Sequence, residues 1–300
     1  METLTRSTIL GGQNMISELS RMNEEQLIEY YLKLKVTLSK TTLRNYKALL
    51  RQFSEFCSAR GSKIRDATQI DIGEFLNQFE YRSTKDTYRI ILNIFFKWMF
   101  KHHMIDCNPV EEIRITNGKK NKQELMRDSD FKQIVFRCEG LWEITIVQTL
   151  WYLGLRAKEL RGLRLQDINL DRGLLFVSHS KTINGYRSIP IHPNFKSLLS
   201  KYITRRQDIQ TTKPWLFLTK RGTQFSKSAL VQFIHNLQLD LGFHYSCHDF
   251  RRAFVTRLYR KTTDLVLCQR LAGHASIKTI RRYIIDDIEE HMRKFNALNF

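Results

Sequence analysis

The sequence lacks a long uninterrupted apolar run, and it shows neither a signal peptide nor a lipidation motif. These absences count against a membrane-spanning protein and against a cationic protein of the membrane surface. Cysteine is scarce, with five residues in the chain. Because they are scattered and odd in number, they favour reduced thiols over a disulfide framework. We therefore expect a cytoplasmic protein with no membrane partner.

The sequence has no cluster of metal-ligand residues at a typical spacing, and acidic residues are fewer than basic ones. His244, Cys247 and His248 lie close in sequence, but no second ligand pair stands at zinc-finger spacing, so no metal site is expected. Lys and Arg number 49 against 30 Asp and Glu, which gives a net charge of +19. A charge of this sign and size favours a polyanion as partner.

The length of 300 residues predicts about two domains with real apolar cores. We predict a helical domain over 21–113, preceded by an arm over 1–20. The polar and basic stretch 114–124 contains glycine and is predicted to be an exposed linker. Residues 125–300 are predicted to form the second domain, with a helical tail at the end of the chain.

Helical periodicity dominates the first domain. Apolar residues recur at helical spacing from Asn23, again after Ser39, and over 70–79. A fourth helix is predicted from Ser83, where S-T-K-D is a variant of the capping box. Asn108-Pro109 is predicted to end the bundle.

The second domain alternates helical stretches with a few short strands. The predicted elements are helices over 128–138, 142–153 and 157–163, strands over 174–178, 186–191 and 215–219, and a helix capped by Ser226. Asn184-Gly185 suits a hairpin turn between the first two strands, and Pro190 indicates an edge strand. The predicted fold class is mainly α with a small β-sheet (α+β).

Arginine, histidine and tyrosine come together in the stretch from His248 to Tyr283. His248 and Arg251 are three positions apart, so they share one face of a helix and could grip a small anion. His274 follows a glycine, and Tyr283 stands nine positions after it. A guanidinium fits two phosphate oxygens, an imidazole exchanges protons near neutral pH, and a deprotonated phenol is an oxygen nucleophile. The combination predicts chemistry on a phosphate.

This stretch resembles the signature of tyrosine recombinases, the integrase family of site-specific DNA recombinases: H-x-x-R, a turn like L-G-H, then a tyrosine nine residues later. Here the turn reads L-A-G-H, with one small residue between Leu and Gly. Upstream, G-L-R-x-x-E-L resembles the family motif with the first catalytic arginine, and S-K-T before a strand ending in I-P-I resembles the hairpin with the catalytic lysine. In family order, the matching positions are Arg156, Lys181, His248, Arg251, His274 and Tyr283.

The N-terminal helices resemble the core-binding, SAM-like domain of the same family. The likeness extends to T-x-x-x-Y near the start of the second helix and to the terminal N-P. The resemblance therefore implies a four-helix SAM-like domain followed by a tyrosine recombinase catalytic domain, in a compact, Xer-like enzyme.

The resemblance also implies a reaction, in which DNA strands are cut and rejoined through a 3′-phosphotyrosyl intermediate with Tyr283 as nucleophile. Arg156 and Arg251 would hold the nonbridging oxygens and stabilise charge in the transition state. Lys181 and the two histidines are the candidates for proton transfer, and the identity of the general acid stays open. Neither a cofactor nor a metal is expected, because the bond energy is kept in the covalent link.

The implied partner is double-stranded DNA with an inverted-repeat recombination site, which would place the protein at the nucleoid. The family also implies a homotetramer on DNA and allows an accessory directionality protein. Candidate residues for DNA binding are Lys119, Lys120, Lys122 and Arg44. The biological programme is open between integration, excision and dimer resolution.

Two other functions are compatible with parts of the pattern. A type IB topoisomerase shares this pocket and chemistry, but the short helical N-terminal domain counts against it. A non-catalytic, architectural DNA-binding protein could also use such a scaffold, but the filled catalytic positions count against that alternative.

Overall fold

The structure is a computed structural model that describes residues 19, 21–119, 125–178, 186–209, 211–219, 221–273 and 296. The chain divides into two compact units, Met1–Gln123 and Glu124–Phe300. Among the described residues, no helix combines the length and apolar character needed to cross a membrane.

Helices build the described part of the first unit: α1 (Glu24–Lys33), α2 (Lys40–Ser58), α3 (Gln69–Asn77) and α4 (Arg82–Lys101). The helical patterns predicted from Asn23 and after Ser39 form α1 and α2, and the side chains of Asn23 and Ser39 cap them by accepting main-chain N–H groups of the first turns. Thr68 caps α3 in the same way.

The core of the first unit is largely aromatic. The ring of Phe53 meets those of Phe75 and Phe96 edge to face, with centroids 5.0 and 6.0 Å apart. Tyr31 and Phe95 meet similarly at 4.9 Å. Such tilted contacts are the favoured geometry of packed rings, so the periodic aromatic residues of the sequence become the interlocking interior of the bundle.

The predicted start of the fourth helix at Ser83 is wrong by about one residue, and its capping box is not formed. Helix α4 begins at Arg82 after Tyr81, and no side chain caps it. Tyr81 is extended and pairs with Lys119, because the Arg82 amide donates to the Lys119 carbonyl at 3.1 Å and the Lys119 amide donates to the Glu80 carbonyl at 2.9 Å. This pairing across a long sequence separation, rather than a local cap, sets the helix start.

The second unit contains seven further helices in its described residues: α5 (Asp128–Phe136), α6 (Leu141–Leu153), α7 (Ala157–Gly162), α8 (Pro193–Gln207), α9 (Lys227–Asn236), α10 (Cys247–Thr262) and α11 (Leu265–Ala272). Ser226 caps α9 as predicted. The long helices α6 and α10 pack against each other and bury apolar residues of both in the core of this unit.

A small antiparallel sheet of β1 (Ile168–Asn169), β2 (Leu174–Val177) and β3 (Arg187–Pro190) has the order β1-β2-β3. Leu174 of β2 lies opposite Pro190, which is therefore in an outer strand of the described sheet, as predicted. The mainly helical fold with one small sheet confirms the predicted fold class. The predicted turn at Asn184-Gly185 lies outside the described residues.

The strand predicted over 215–219 is wrong, and β1 takes its place in the sheet. The Leu216 amide donates to the Leu163 carbonyl at 2.7 Å, whereas the Leu218 carbonyl accepts from the Trp142 indole at 2.8 Å. Trp215 forms an isolated bridge with Arg164, and Leu218 forms one with Gln224, so the segment enters no ladder. The apolar run is explained by burial of Leu216, Phe217 and Leu218 in the core.

Candidate active site

A basic cavity of about 660 Å³ opens in the second unit between α7, the start of α9 and the start of α10. Its lining includes the cationic residues Arg156, Lys158, Arg161, Lys227 and Arg251, together with His248. No carboxylate lines the cavity in the part of the chain that the structure describes. Walls of one charge in a concave site concentrate an anion, so the cavity is suited to a phosphate group.

The turn before Arg156 depends on a glycine. Helix α6 ends at Gly154, whose φ of +55° is the left-handed conformation that glycine adopts most readily. A Cβ at this position would lie only 2.3 Å from the Phe254 ring, so the space is closed as well. The chain reverses there, Leu155 enters the core, and Arg156 reaches the cavity just before α7.

Helix α10 brings His248 and Arg251 into the same cavity. Ser246 caps the helix and forms a capping box with Asp249, which fixes its start. His248 and Arg251 both line the cavity, as their shared helix face predicts. The opposite side of the helix carries Phe250, which is fully buried. Packing therefore fixes the orientation of the pair.

Glu159 of α7 is a buried carboxylate that connects the arginines. Its Oε1 accepts from Nη1 of Arg156 at 2.7 Å, and its Oε2 accepts from the Arg156 amide at 2.8 Å. Arg187 of β3 donates to both carboxylate oxygens, at 3.1 and 3.0 Å. Nη1 of Arg251 lies 3.9 Å from Oε2. One carboxylate thus orients guanidinium groups from three separate parts of the chain.

The charge of Glu159 is stabilised by these partners. Burial by itself would raise its pKa, but the hydrogen bonds and positive charge of Arg187, together with the bonds from Arg156, outweigh burial and hold the pKa of Glu159 below its ordinary value. Glu159 is therefore ionised at neutral pH.

Three successive carbonyls at the end of α11 accept from the same arginines. Arg187 Nε donates to the Leu271 carbonyl at 2.7 Å, and Arg156 Nη2 donates to that of Gly273 at 2.6 Å. Arg251 Nη2 donates to the carbonyl between them, that of Ala272, and its Nη1 donates to the Gly154 carbonyl at 2.8 Å. Cations at a helix C-terminus satisfy its orphan carbonyls and complement its dipole. The arginines therefore hold the point from which the chain continues to His274.

Arg156 and Arg251 of the cavity lining differ in exposure. The Arg251 side chain is 1% exposed, whereas that of Arg156 is 39% exposed. Burial lowers the pKa of His248; Asp249 opposes this shift and Arg251 adds to it. The result is a pKa below the ordinary value of about 6.5, so His248 is largely neutral at pH 7 and can accept a proton.

Family comparison agrees with this geometry. The model of the phage integrase family matches residues 119–290, and the model of the phage integrase N-terminal SAM-like domain matches residues 27–103. The chain belongs to the phage integrase family. The prediction of a tyrosine-type site-specific recombinase with a SAM-like N-terminal domain is thereby confirmed.

Relatives of this integrase-family chain include tyrosine recombinases of the Xer type. It is 26% identical over 291 residues to tyrosine recombinase XerC of Pelobacter propionicus, covering 92% of this chain and 94% of that one. It is 28% identical over 280 residues to tyrosine recombinase XerD of Pseudomonas aeruginosa, with 87% and 92% covered.

Solved structures share the fold. The Tn1549 transposon integrase in complex with a circular intermediate DNA has a TM-score of 0.77 at 18% identity, with 93% of this chain and 100% of that chain covered. A lambda integrase dimer bound to a COC′ core site has a TM-score of 0.68 at 21% identity, with 85% and 75% covered.

The predicted site residues of this integrase-family chain are only partly described. Arg156, His248 and Arg251 are brought together in the cavity. The other predicted catalytic and linker residues, Lys181, His274, Tyr283, Lys120 and Lys122, lie outside the described residues. Arg44 and Lys119 belong to the first unit, where Lys119 forms an exposed ion pair with Glu80.

Sequence reasoning missed two residues of the arginine cluster, Glu159 and Arg187. Glu159 stands within the quoted motif G-L-R-x-x-E-L, three positions after Arg156, which is the spacing of a capping box. That signal could have identified the contact with Arg156. Arg187 lies in a short strand 28 positions from Glu159, so no local pattern indicates that the two meet.

Proposed function

We propose that this protein cuts and rejoins DNA strands at a specific site through a 3′-phosphotyrosyl intermediate. The observation that carries the proposal is the cavity that joins Arg156, His248 and Arg251 in family order on the expected elements. DNA is the proposed partner, since the cavity is basic and the Tn1549 and lambda integrases of similar fold were solved on DNA. Its action on DNA would place the protein at the nucleoid.

In this proposal Tyr283 attacks the scissile phosphorus, its proton passes to a neutral histidine, His248 or His274, and the bond from phosphorus to the 5′ oxygen breaks. Arg156 and Arg251 hold the nonbridging oxygens, where negative charge builds up in the transition state. Lys181 donates the proton that the leaving 5′ oxygen needs. His248, neutral at pH 7, and His274 assist the proton transfers.

Rejoining reverses these steps with a different strand. The 5′ hydroxyl of the partner strand attacks the phosphotyrosine, and the Tyr283 oxygen leaves. One phosphodiester replaces another, so the chemistry is balanced without ATP. The same groups serve both directions, because the transition states are of one kind.

The experiment is to trap the covalent intermediate. A duplex site is first selected from a random library by binding to the protein, and versions nicked at successive positions then serve as suicide substrates. We expect an adduct that peptide mapping assigns to Tyr283, and Tyr283→Phe should abolish it. Tyr259→Phe, a change on α10, is the matched control that should retain the adduct. A wild-type level of adduct from Tyr283→Phe would contradict the assignment.

The domain roles and DNA contacts are part of the proposal. Residues 21–113 and the catalytic domain over 125–300 would bind the two sides of a duplex, and the linker over 114–124 would cross it. The phosphate contacts would come from Lys119, Lys120, Lys122 and Arg44. Their individual replacement by Ala should weaken binding about equally for all sequences, because phosphate contacts carry no base information.

Assembly is the last part of the proposal. Four protomers would join two inverted-repeat sites, with an accessory protein setting direction in some programmes. The apolar residues after Tyr283 recur at roughly helical spacing and would pack on a neighbouring protomer, as such tails do in the family. Truncation after Asp287 should leave single-site binding intact by gel shift and remove two-site recombination. Unchanged recombination would rule out this role, and relaxation of supercoils without exchange would favour a topoisomerase.

A further inference from the structure

Arg187 is a buried arginine beside the cavity but not in its lining. Its side chain is 5% exposed, and the residues that line the cavity do not include it. Even so, its guanidinium bonds to Glu159 through both terminal nitrogens and to the Leu271 carbonyl through Nε. It therefore touches both supports of Arg156, the carboxylate and the end of α11.

We propose that Arg187 is a positioning residue for strand cleavage, which acts by holding Glu159 and the end of α11 in the places that orient Arg156. The inference rests on the proposed function, and it adds a residue that never contacts the phosphate. Arg187 links β3, α7 and α11, three elements that are separated from one another in the sequence. Its loss removes two hydrogen bonds to the Glu159 carboxylate, which then keeps those from Arg156, and it leaves the Leu271 carbonyl without its cation.

The geometry explains why the position requires arginine. A planar guanidinium presents donors on separate edges, so one side chain can meet a carboxylate with its terminal nitrogens and a carbonyl with Nε. A lysine ammonium supplies the same charge from one point. We expect Arg187→Lys to restore the charge but only part of the alignment.

Arg156 is the group that would move if Glu159 or the end of α11 were displaced. It is more exposed than Arg251, and its guanidinium is held by one Glu159 oxygen and one carbonyl of the α11 end. The same Glu159 oxygen also accepts from Arg187, and the carbonyl, that of Gly273, lies two residues after the Leu271 carbonyl that Arg187 holds. An error of about 1 Å in a reacting or stabilising group can cost about 100-fold in rate.

Arg206 provides a matched control. It is 2% exposed, and its Nη2 donates to the Lys213 and Trp215 carbonyls. It lies on α8 and outside the cavity lining. Arg206→Gln therefore removes a buried arginine of the same unit without touching Glu159 or α11.

The test measures covalent adduct formation under single-turnover conditions with saturating suicide duplex, alongside duplex affinity and thermal unfolding. We expect Arg187→Gln to lose up to about 100-fold in rate with near-normal affinity, and Arg187→Lys to fall between it and the wild type. Arg206→Gln should lower the unfolding temperature at least as much but keep the rate.

The pH profile adds a readout that a structural role would not move. Within the described part of the chain, the charged groups that pair with Glu159 are Arg156, Arg187 and Arg251. Removing one of these cations raises the pKa of Glu159, so the cleavage rate of Arg187→Gln should fall on acidification at a higher pH than that of the wild type.

The outcomes separate this inference from the proposed function. If the wild type forms the adduct and Arg187→Gln matches it in rate and pH profile, Arg187 is not a positioning residue. If Arg187→Gln and Arg206→Gln lose rate equally, the effect is loss of folding and the inference is overturned. If the wild type forms no adduct on any nicked duplex, the proposed function fails and this inference fails with it.

Discussion

Among the described residues, the ion pairs with both side chains buried lie in the second unit. In the first unit the ion pairs of Lys47 with Glu29 and of Arg51 with Glu25 join α1 to α2 at the surface, with side chains 33% to 48% exposed. In the second unit Glu159 and Arg187 pair with side chains 4% and 5% exposed. Surface pairs contribute little, whereas a buried pair fixes orientation at a cost in desolvation. The difference shows that the second unit uses buried charge to arrange its site.

Removal of the shared carboxylate should have the largest effect on stability. Glu159→Ala leaves Arg187 and Arg251 buried without their common anion, so we expect the second unit to lose about 3 to 5 kcal/mol of unfolding free energy. Glu25→Ala in the first unit should shift its unfolding midpoint only slightly. Denaturant unfolding that resolves the two units measures both. Similar small shifts for the two variants would contradict the distinction.

The helix-ending glycines give a second, smaller contrast. Gly154 and Gly61 both have positive φ, +55° and +71°, but only Gly154 has atoms within 4 Å of a Cβ, those of Phe254. Gly61→Ala should cost about 1 kcal/mol through backbone strain. Gly154→Ala should cost about 2 to 4 kcal/mol, because displacement of Phe254 is added to the strain. Equal losses would show that the Phe254 contact gives way freely.

Local patterns were sufficient for the first two helices but not for the start of α4 or for the site. The caps Asn23 and Ser39 and the apolar periodicity that follows each of them are local, so the sequence predicts α1 and α2 closely. The start of α4 depends on Lys119, and Glu159 meets Arg187 only after the chain has folded. Contacts between distant segments leave no periodic signal. The catalytic positions were predicted from family motifs, whereas the groups that support them are identified only by their contacts in the folded structure.

Acidification should have a smaller effect on the stability of the second unit, through the charge of Glu159. The folded-state pKa of Glu159 lies below its ordinary value of about 4.3, so its stabilising contribution is fully present above that value and is lost as pH falls through the folded pKa. The wild-type second unit should therefore be more stable than that of Glu159→Gln, and the difference in unfolding free energy should be largest above about pH 5. Unfolding free energies measured against pH should show the two curves approach each other as pH falls below that ordinary value. Parallel curves would mean that the Glu159 charge contributes nothing.

The central claim is that Arg156 stabilises the transition state on a phosphate rather than supplying affinity for DNA. The direct measurement compares the single-turnover adduct rate and the duplex affinity of Arg156→Ala with those of the wild type and of Lys227→Ala, a change at the rim of the same cavity. We predict that Arg156→Ala loses about 100- to 1,000-fold in rate with little change in affinity, and that Lys227→Ala keeps most of its rate. A normal rate for Arg156→Ala, or a loss confined to affinity, would contradict the account.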